Sequence, residues 1–98
     1  MIIVTGTIRA RPDTIDQVES LSLAHVRRSR DEPGCLLHSV QRDLEDPLRL
    51  VFLEQWVDHD ALRAHFGVPA SRDFVAQVSS LADEPPRMTV FSAEAAGP

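Results

Sequence analysis

A chain of 98 residues holds one small domain, and its 43% apolar and 26% charged content is that of a folded protein rather than a disordered or fibrous one. Fifteen acidic residues against ten basic ones leave a net charge of −5, which argues against a nucleic-acid-binding surface. All ten basic residues are Arg, and Lys, Tyr and Asn are absent, which excludes a lysine Schiff base, a tyrosine proton donor and an Asn-built oxyanion hole.

Residues 2–10, IIVTGTIRA, are β-branched and alternate, with Ile2, Val4, Ile8 and Ala10 on one face, which predicts a strand. Arg11-Pro12 breaks it. Asp13 reads as an N-cap with Asp16 at N3, opening a helix over about 14–30. Its last turn carries Arg27, Arg28 and Arg30, which complement the helix dipole. Asp31-Glu32-Pro33-Gly34 is a turn. Residues 35–43 and 48–57 read as two further strands in an antiparallel hairpin around Glu45-Asp46-Pro47. Asp58 caps a short helix over 59–66, Gly67-Val68-Pro69 interrupts it, and helix resumes over about 70–81. Pro85-Pro86 leads into a fourth strand over 87–94.

The order β-α-β-β-α-β predicts an α+β fold of the ferredoxin-like kind, in one domain over residues 1–94. Residues 95–98 are expected to form a mobile tail. Both helical segments cover one face of the sheet. The other face is too apolar for water, so a homodimer with sheets packed face to face is expected. The lone Cys35 suits a reducing cytoplasm. The opening apolar run stops at Thr5, Gly6 and Arg9, and no run approaches the ~20 residues of a membrane span, so neither a targeting segment nor membrane contact is expected.

Polar residues fall on faces that should be buried. On the first helix Ser22, His25 and Ser29 share the inner face with Ile15, Val18 and Val26. They either bond backbone carbonyls or line a pocket. On the short helix Ala61, Leu62, His65 and Phe66 form the inward face. His65 has the chemistry of a proton shuttle, or is a satisfied core histidine. On the third strand Glu54 shares its face with Leu50, Phe52 and Trp56. A carboxylate there must pair, shift its pKa or face a wet cavity. It could meet His65, or pair with Arg42 or Arg49. Trp56 is pocket wall or core filler. His38 shares its face with Leu36, Val40 and Arg42, while His59 should be exposed. No pair of His shows metal-ligand spacing, and no phosphate loop, dinucleotide fingerprint or nucleophile elbow is present, so no metal and no bound cofactor is expected.

The segments IRARP, DEPGCL, LEQWVDHDALRAHF and LADEPPRMTVF together resemble the antibiotic biosynthesis monooxygenase domain, including its quinol monooxygenase branch. The resemblance covers nearly the whole chain. It implies a dimeric ferredoxin-like α+β barrel with a pocket between sheet and helices. It also implies oxidation of phenols or quinols by dioxygen without flavin, metal or haem. Trp56 matches a tryptophan used by the polyketide-oxidising members. Their asparagine and tyrosine are replaced here by Phe52 and Leu62. The iron-ligating histidine of a haem-degrading branch is replaced by Val75. A branch acting on phosphorylated signal molecules has a Pro-His pair where this chain has Pro69-Ala70.

The reading is a cofactor-independent monooxygenase for a small quinol or phenol. His65 would accept the proton, Glu54 would orient it, and Trp56 would stand beside them. His25, Ser22, His38, Phe52, Leu62 and Phe66 would contact the substrate. The alternatives are an isomerase or lyase on a small polar, even phosphorylated, metabolite, favoured by Arg42 or Arg72 at a pocket mouth, and a non-catalytic dimeric binding module.

Overall fold

A computed structural model of the chain describes residues 1–98. The elements are β1 (Ile2–Arg9), α1 (Ile15–Ser29), β2 (Cys35–Arg42), β3 (Arg49–Trp56), α2 (His59–Gly67), α3 (Pro69–Leu81) and β4 (Arg87–Ser92). The strands form one sheet in the order β2-β3-β1-β4, with all neighbours antiparallel. This is the ferredoxin-like arrangement, in which a hairpin strand slots between β1 and β2. No helix is long and apolar enough to cross a membrane.

One face of the sheet carries the helices. Ile2, Val4 and Ile8 of β1 and Leu50, Phe52, Glu54 and Trp56 of β3 are buried there, as period-two alternation requires. The apolar core falls into two parts. Ile8, Leu50 and Phe52 pack with Val18 and Val26 of α1 and Phe74 and Val78 of α3. Ile2, Val4 and Trp56 pack with Leu62 of α2. Glu54 lies on β3 between these two parts.

Three local expectations need correction. Thr14, not Asp13, is the N-cap of α1, and no side chain caps the helix. The Thr14 hydroxyl instead accepts from the Arg11 N–H and donates to the Leu81 carbonyl, tying the start of α1 to the end of α3. Leu36 does not share the buried face of His38. A register shift between Cys35 and Leu37 leaves it as an extra residue, and it is exposed. The fourth strand stops at Ser92 and is exposed along its whole length, as an edge strand with no helix above it. Other signals hold. Asp58 Oδ1 accepts from the Ala61 N–H at 2.8 Å, and α2 ends before Pro69, which sits in the first turn of α3.

Gly34 sets how closely the turn before β2 approaches α2. Its φ is +81°, and a Cβ there would stand 2.7 Å from the Ala61 Cβ and 2.8 Å from Val57 Cγ1. Both the left-handed backbone and the contact exclude a side chain. Gly34→Ala is expected to lower stability by about 2 kcal/mol, read as a lower urea midpoint with an unchanged slope.

Candidate functional site

Glu54 is the pivot. Its Oε1 accepts a hydrogen bond from the Trp56 indole N–H at 2.9 Å, lies 3.3 Å from His38 Nε2 and stands 4.0 Å from His65 Nε2. The His38 contact suits ion pairing, but its angle misses that of a good hydrogen bond, so neither ring nitrogen of His38 has a well-aligned partner. Burial on its own would raise the Glu54 pKa. The approach of His38, the indole N–H and His65 outweighs burial and holds the carboxyl below its ordinary value. Neither arginine considered for Glu54 reaches it: Arg42 pairs with Glu19 and Arg49 with Asp43.

His65 projects from the last turn of α2 toward the sheet and is 3% exposed. Its Nδ1 lies 2.9 Å from Glu32 Oε1. A carboxylate only accepts, so Nδ1 carries the proton and Nε2 is left as the basic nitrogen. The ring also tilts against Trp56, with centroids 4.7 Å apart. Glu32 was visible in the Glu-Pro-Gly-Cys turn, yet nothing local assigned it a role. The contact spans 33 residues and exists because that turn packs beneath α2.

His25 enters from α1. Arg28 Nη2 donates to its Nδ1 at 2.8 Å, which fixes the remaining ring proton on Nε2. The ring stacks on Phe74 at 4.1 Å and an interplanar angle of 6°. Burial first, then the neighbouring His38, His65 and Arg28, push its pKa down to about 3, so the ring stays neutral. It offers a neutral N–H donor. One nitrogen from each of His25, His38 and His65 lies within 4.8 Å of the others, the only cluster able to approach a metal ion. Ligand atoms around a tetrahedral ion with ~2 Å bonds sit ~3.3 Å apart. The Arg28 bond also occupies one lone pair of His25. As they stand, the donors suit proton and hydrogen-bond work better than metal ligation.

Above this group lies a half-open cavity of about 430 Å³, in the size range of small-molecule sites. His25, Glu54 and His65 reach its wall, as do Phe52 and Phe66. Phe66 stands at the rim, 42% exposed, rather than fully inward. Other expected contacts lie behind the wall. Trp56 is fully buried and holds Glu54 from beneath. Leu62 packs with Trp56, Ile2 and Val4 in the second part of the core. His38 lies below Glu54, and Ser22 is fully buried with its hydroxyl unpartnered. Ser29 takes the bland option and donates to the His25 carbonyl at 2.7 Å. Sequence reasoning missed Gly6, Phe74 and Ser71, and the contribution of β4. Pairing with β1 sets Met88 opposite Gly6, on the helix-covered face, and so brings it to the cavity. Alternation did hint at Gly6: it occupies an inward position of β1 and supplies no side chain there.

The family model for antibiotic biosynthesis monooxygenase matches residues 1–77. The chain belongs to the antibiotic biosynthesis monooxygenase family. A solved structure from Deinococcus radiodurans, described as a candidate antibiotic biosynthesis monooxygenase, is 25% identical and superposes with a TM-score of 0.95, covering 100% of this chain and 97% of that one. A protein of Mycobacterium tuberculosis is 27% identical with a TM-score of 0.90, covering 98% of each chain. An uncharacterised Synechocystis protein is 31% identical over 90 residues, 92% of this chain. This chain spans 61% of that relative's length. Within the antibiotic biosynthesis monooxygenase fold, Phe52, Glu54 and Trp56 keep one face of β3, with the first two on the cavity and Trp56 behind it.

The neutral His25 makes stability depend on pH. The unfolded chain protonates this histidine near 6.5 and the fold does so only near 3. Its contribution is therefore full above about pH 6.5 and is lost as the pH falls toward 3. The depressed Glu54 adds a loss of the same sign at lower pH. Unfolding free energy should fall on the order of 1 kcal/mol per pH unit below about 6.5. In His25→Leu, urea titrations across that range should show a much flatter slope, and an equal slope in both proteins contradicts the assignment.

Proposed function

We propose that the chain is a cofactor-independent monooxygenase acting on a small phenol or quinol. The observation that carries this reading is His65. Its Nδ1 is tied to Glu32 at 2.9 Å and its Nε2 is turned to an aromatic-walled cavity. In this reading Nε2 takes the hydroxyl proton of the substrate. The resulting imidazolium lies between two carboxylates, Glu32 and Glu54, and both favour its charge. The His25 N–H donates to the substrate oxygen and holds the phenolate in place. The apolar walls, among them Phe52 and Phe74, keep water away from the reacting ring. The electron-rich phenolate supplies the electrons to dioxygen. One oxygen atom bonds to a ring carbon, and the other leaves as water with the two hydrogens of the phenol. A phenol plus dioxygen thus gives a quinone plus water, and no external reductant enters the balance.

Oxygen uptake with a quinol and phenol panel, under metal-free conditions, tests this. His65→Ala should lower kcat/KM by roughly 10²–10⁴. Glu32→Gln, which acts by orienting His65, should lower it roughly 10–100-fold. Full activity in His65→Ala, or no uptake with any member of the panel, contradicts the proposal. One observation favours the isomerase or lyase reading: Arg72 lines the cavity, although Arg42 is occupied by Glu19. Turnover that persists without dioxygen would decide for that reading. The cavity is not filled by Phe52, Leu62 and Phe66, which weighs against a non-catalytic module that has lost its pocket.

The pairing of two copies through the open sheet face belongs to the same proposal. That face presents Leu37 at 36% and Phe91 at 48% exposure, flanked by Ile3 and Leu53. A second copy is the simplest cover for it. Sedimentation should give twice the 10.9 kDa chain mass, and Leu53→Glu should give the single chain. A wild-type protein that sediments as one chain contradicts the pairing.

A further inference from the structure

The cavity has a second polar end that the proton chemistry does not use. Of the ten arginines, Arg9, Arg11, Arg42, Arg49 and Arg63 sit in ion pairs with acidic residues. Arg28 and Arg30 are bonded to the His25 ring and the His38 carbonyl. Of the remaining three, Arg87 pairs with Thr7 and so shares the open face of the sheet, whereas Arg72 lines the cavity. In a chain with a net charge of −5, the cavity thus holds an arginine with no acidic partner. Ser71 precedes it in the first turn of α3. It is 4% exposed and lines the cavity, and its hydroxyl has no hydrogen-bond partner. A buried, unpaired hydroxyl costs stability unless something meets it.

We infer that the cavity takes an aromatic alcohol that also carries a carboxylate, and that Ser71 and Arg72 form the subsite for that carboxylate. The inference rests on the preceding reading for the alcohol end only. Guanidinium groups match the oxygens of a carboxylate in pairs, and the serine supplies a further donor. A phosphate fits less well. The first turn of α3 starts with Pro69, which has no N–H, and the Ser71 and Arg72 amides are both spent on the Val68 carbonyl. Little remains of the amide cradle on which helix termini hold phosphate.

The start of α3 sets the direction of the ligand. Ser71 and Arg72 lie in its first turn, one turn before Phe74, whose ring stacks on His25 at 4.1 Å. With its anion at the start of α3, the ligand places its hydroxyl toward His25 and His65. Gly6, opposite Met88 and Phe52, leaves the floor beside them clear for a flat ring.

Calorimetric titration with 6-hydroxy-2-naphthoate and with its methyl ester, which has nearly the same shape without the charge, tests the subsite without turnover. Wild-type protein should bind the acid about tenfold more tightly than the ester. Arg72→Gln should weaken the acid about tenfold, and Ser71→Ala about threefold, with the ester changed less than about twofold. Equal affinity for acid and ester, equal loss of both in Arg72→Gln, or binding of neither ligand overturns the inference. An acid preference without oxygen uptake contradicts the oxidation and leaves the subsite standing. Oxygen uptake restricted to uncharged phenols does the reverse.

Discussion

A carboxylate buried between two patches of apolar core is costly unless it is met by donors, and Glu54 is such a group. The rest of the site follows from how it is met. Trp56 gives up its indole N–H to Glu54, which holds the largest buried side chain of the chain against the base of the site. His38 is drawn beneath Glu54, and His65 stands above it with Glu32 on its far nitrogen. The result is a seam of polar groups crossing the core between α1 and α2. Removing one member leaves another charged or polar group buried without its partner, so the seam holds together as a unit.

The cavity above this seam arises from three absences. Gly6 withholds a side chain from the middle of the sheet. β4 has no helix over it, because the helical layer ends with α3. The break at Gly67-Val68-Pro69 divides the second crossover into α2 and α3, so that His65 and Ser71 approach the cavity from different helices. The pocket is thus bounded by a buried, prearranged polar group, His25, Glu54 and His65, and by Arg72, which is exposed to solvent. Such a division suits a ligand that enters ring-first and leaves its charge at the mouth.

Much of this could be read from the chain itself. Period two marked the β3 face that holds Glu54, and a 3.6 period marked the buried stripe of α1 with Ser22, His25 and Ser29. The Asp58 cap and Pro69 gave the bounds of α2 and α3. What failed were features decided by distant partners. Thr14 outcompetes Asp13 because its hydroxyl finds the Leu81 carbonyl. Leu36 leaves its face because of a bulge. Leu62 and Trp56 share an inward face with the site residues, but they point at each other across the second part of the core rather than into the cavity. Glu32 and Met88 come to the site only through turn packing and strand pairing, which local patterns do not encode.

The central claim is that two imidazoles of the seam are held in opposite tautomers, with His65 presenting a bare Nε2 to the cavity and His25 presenting an N–H. Two-bond ¹⁵N–¹H correlation of the imidazole rings at neutral pH reads these tautomers directly. The account predicts His65 protonated on Nδ1 alone and His25 on Nε2 alone, with the His65 pattern disturbed in Glu32→Gln. A proton on Nε2 of neutral His65, or a His25 ring protonated on Nδ1, would contradict it.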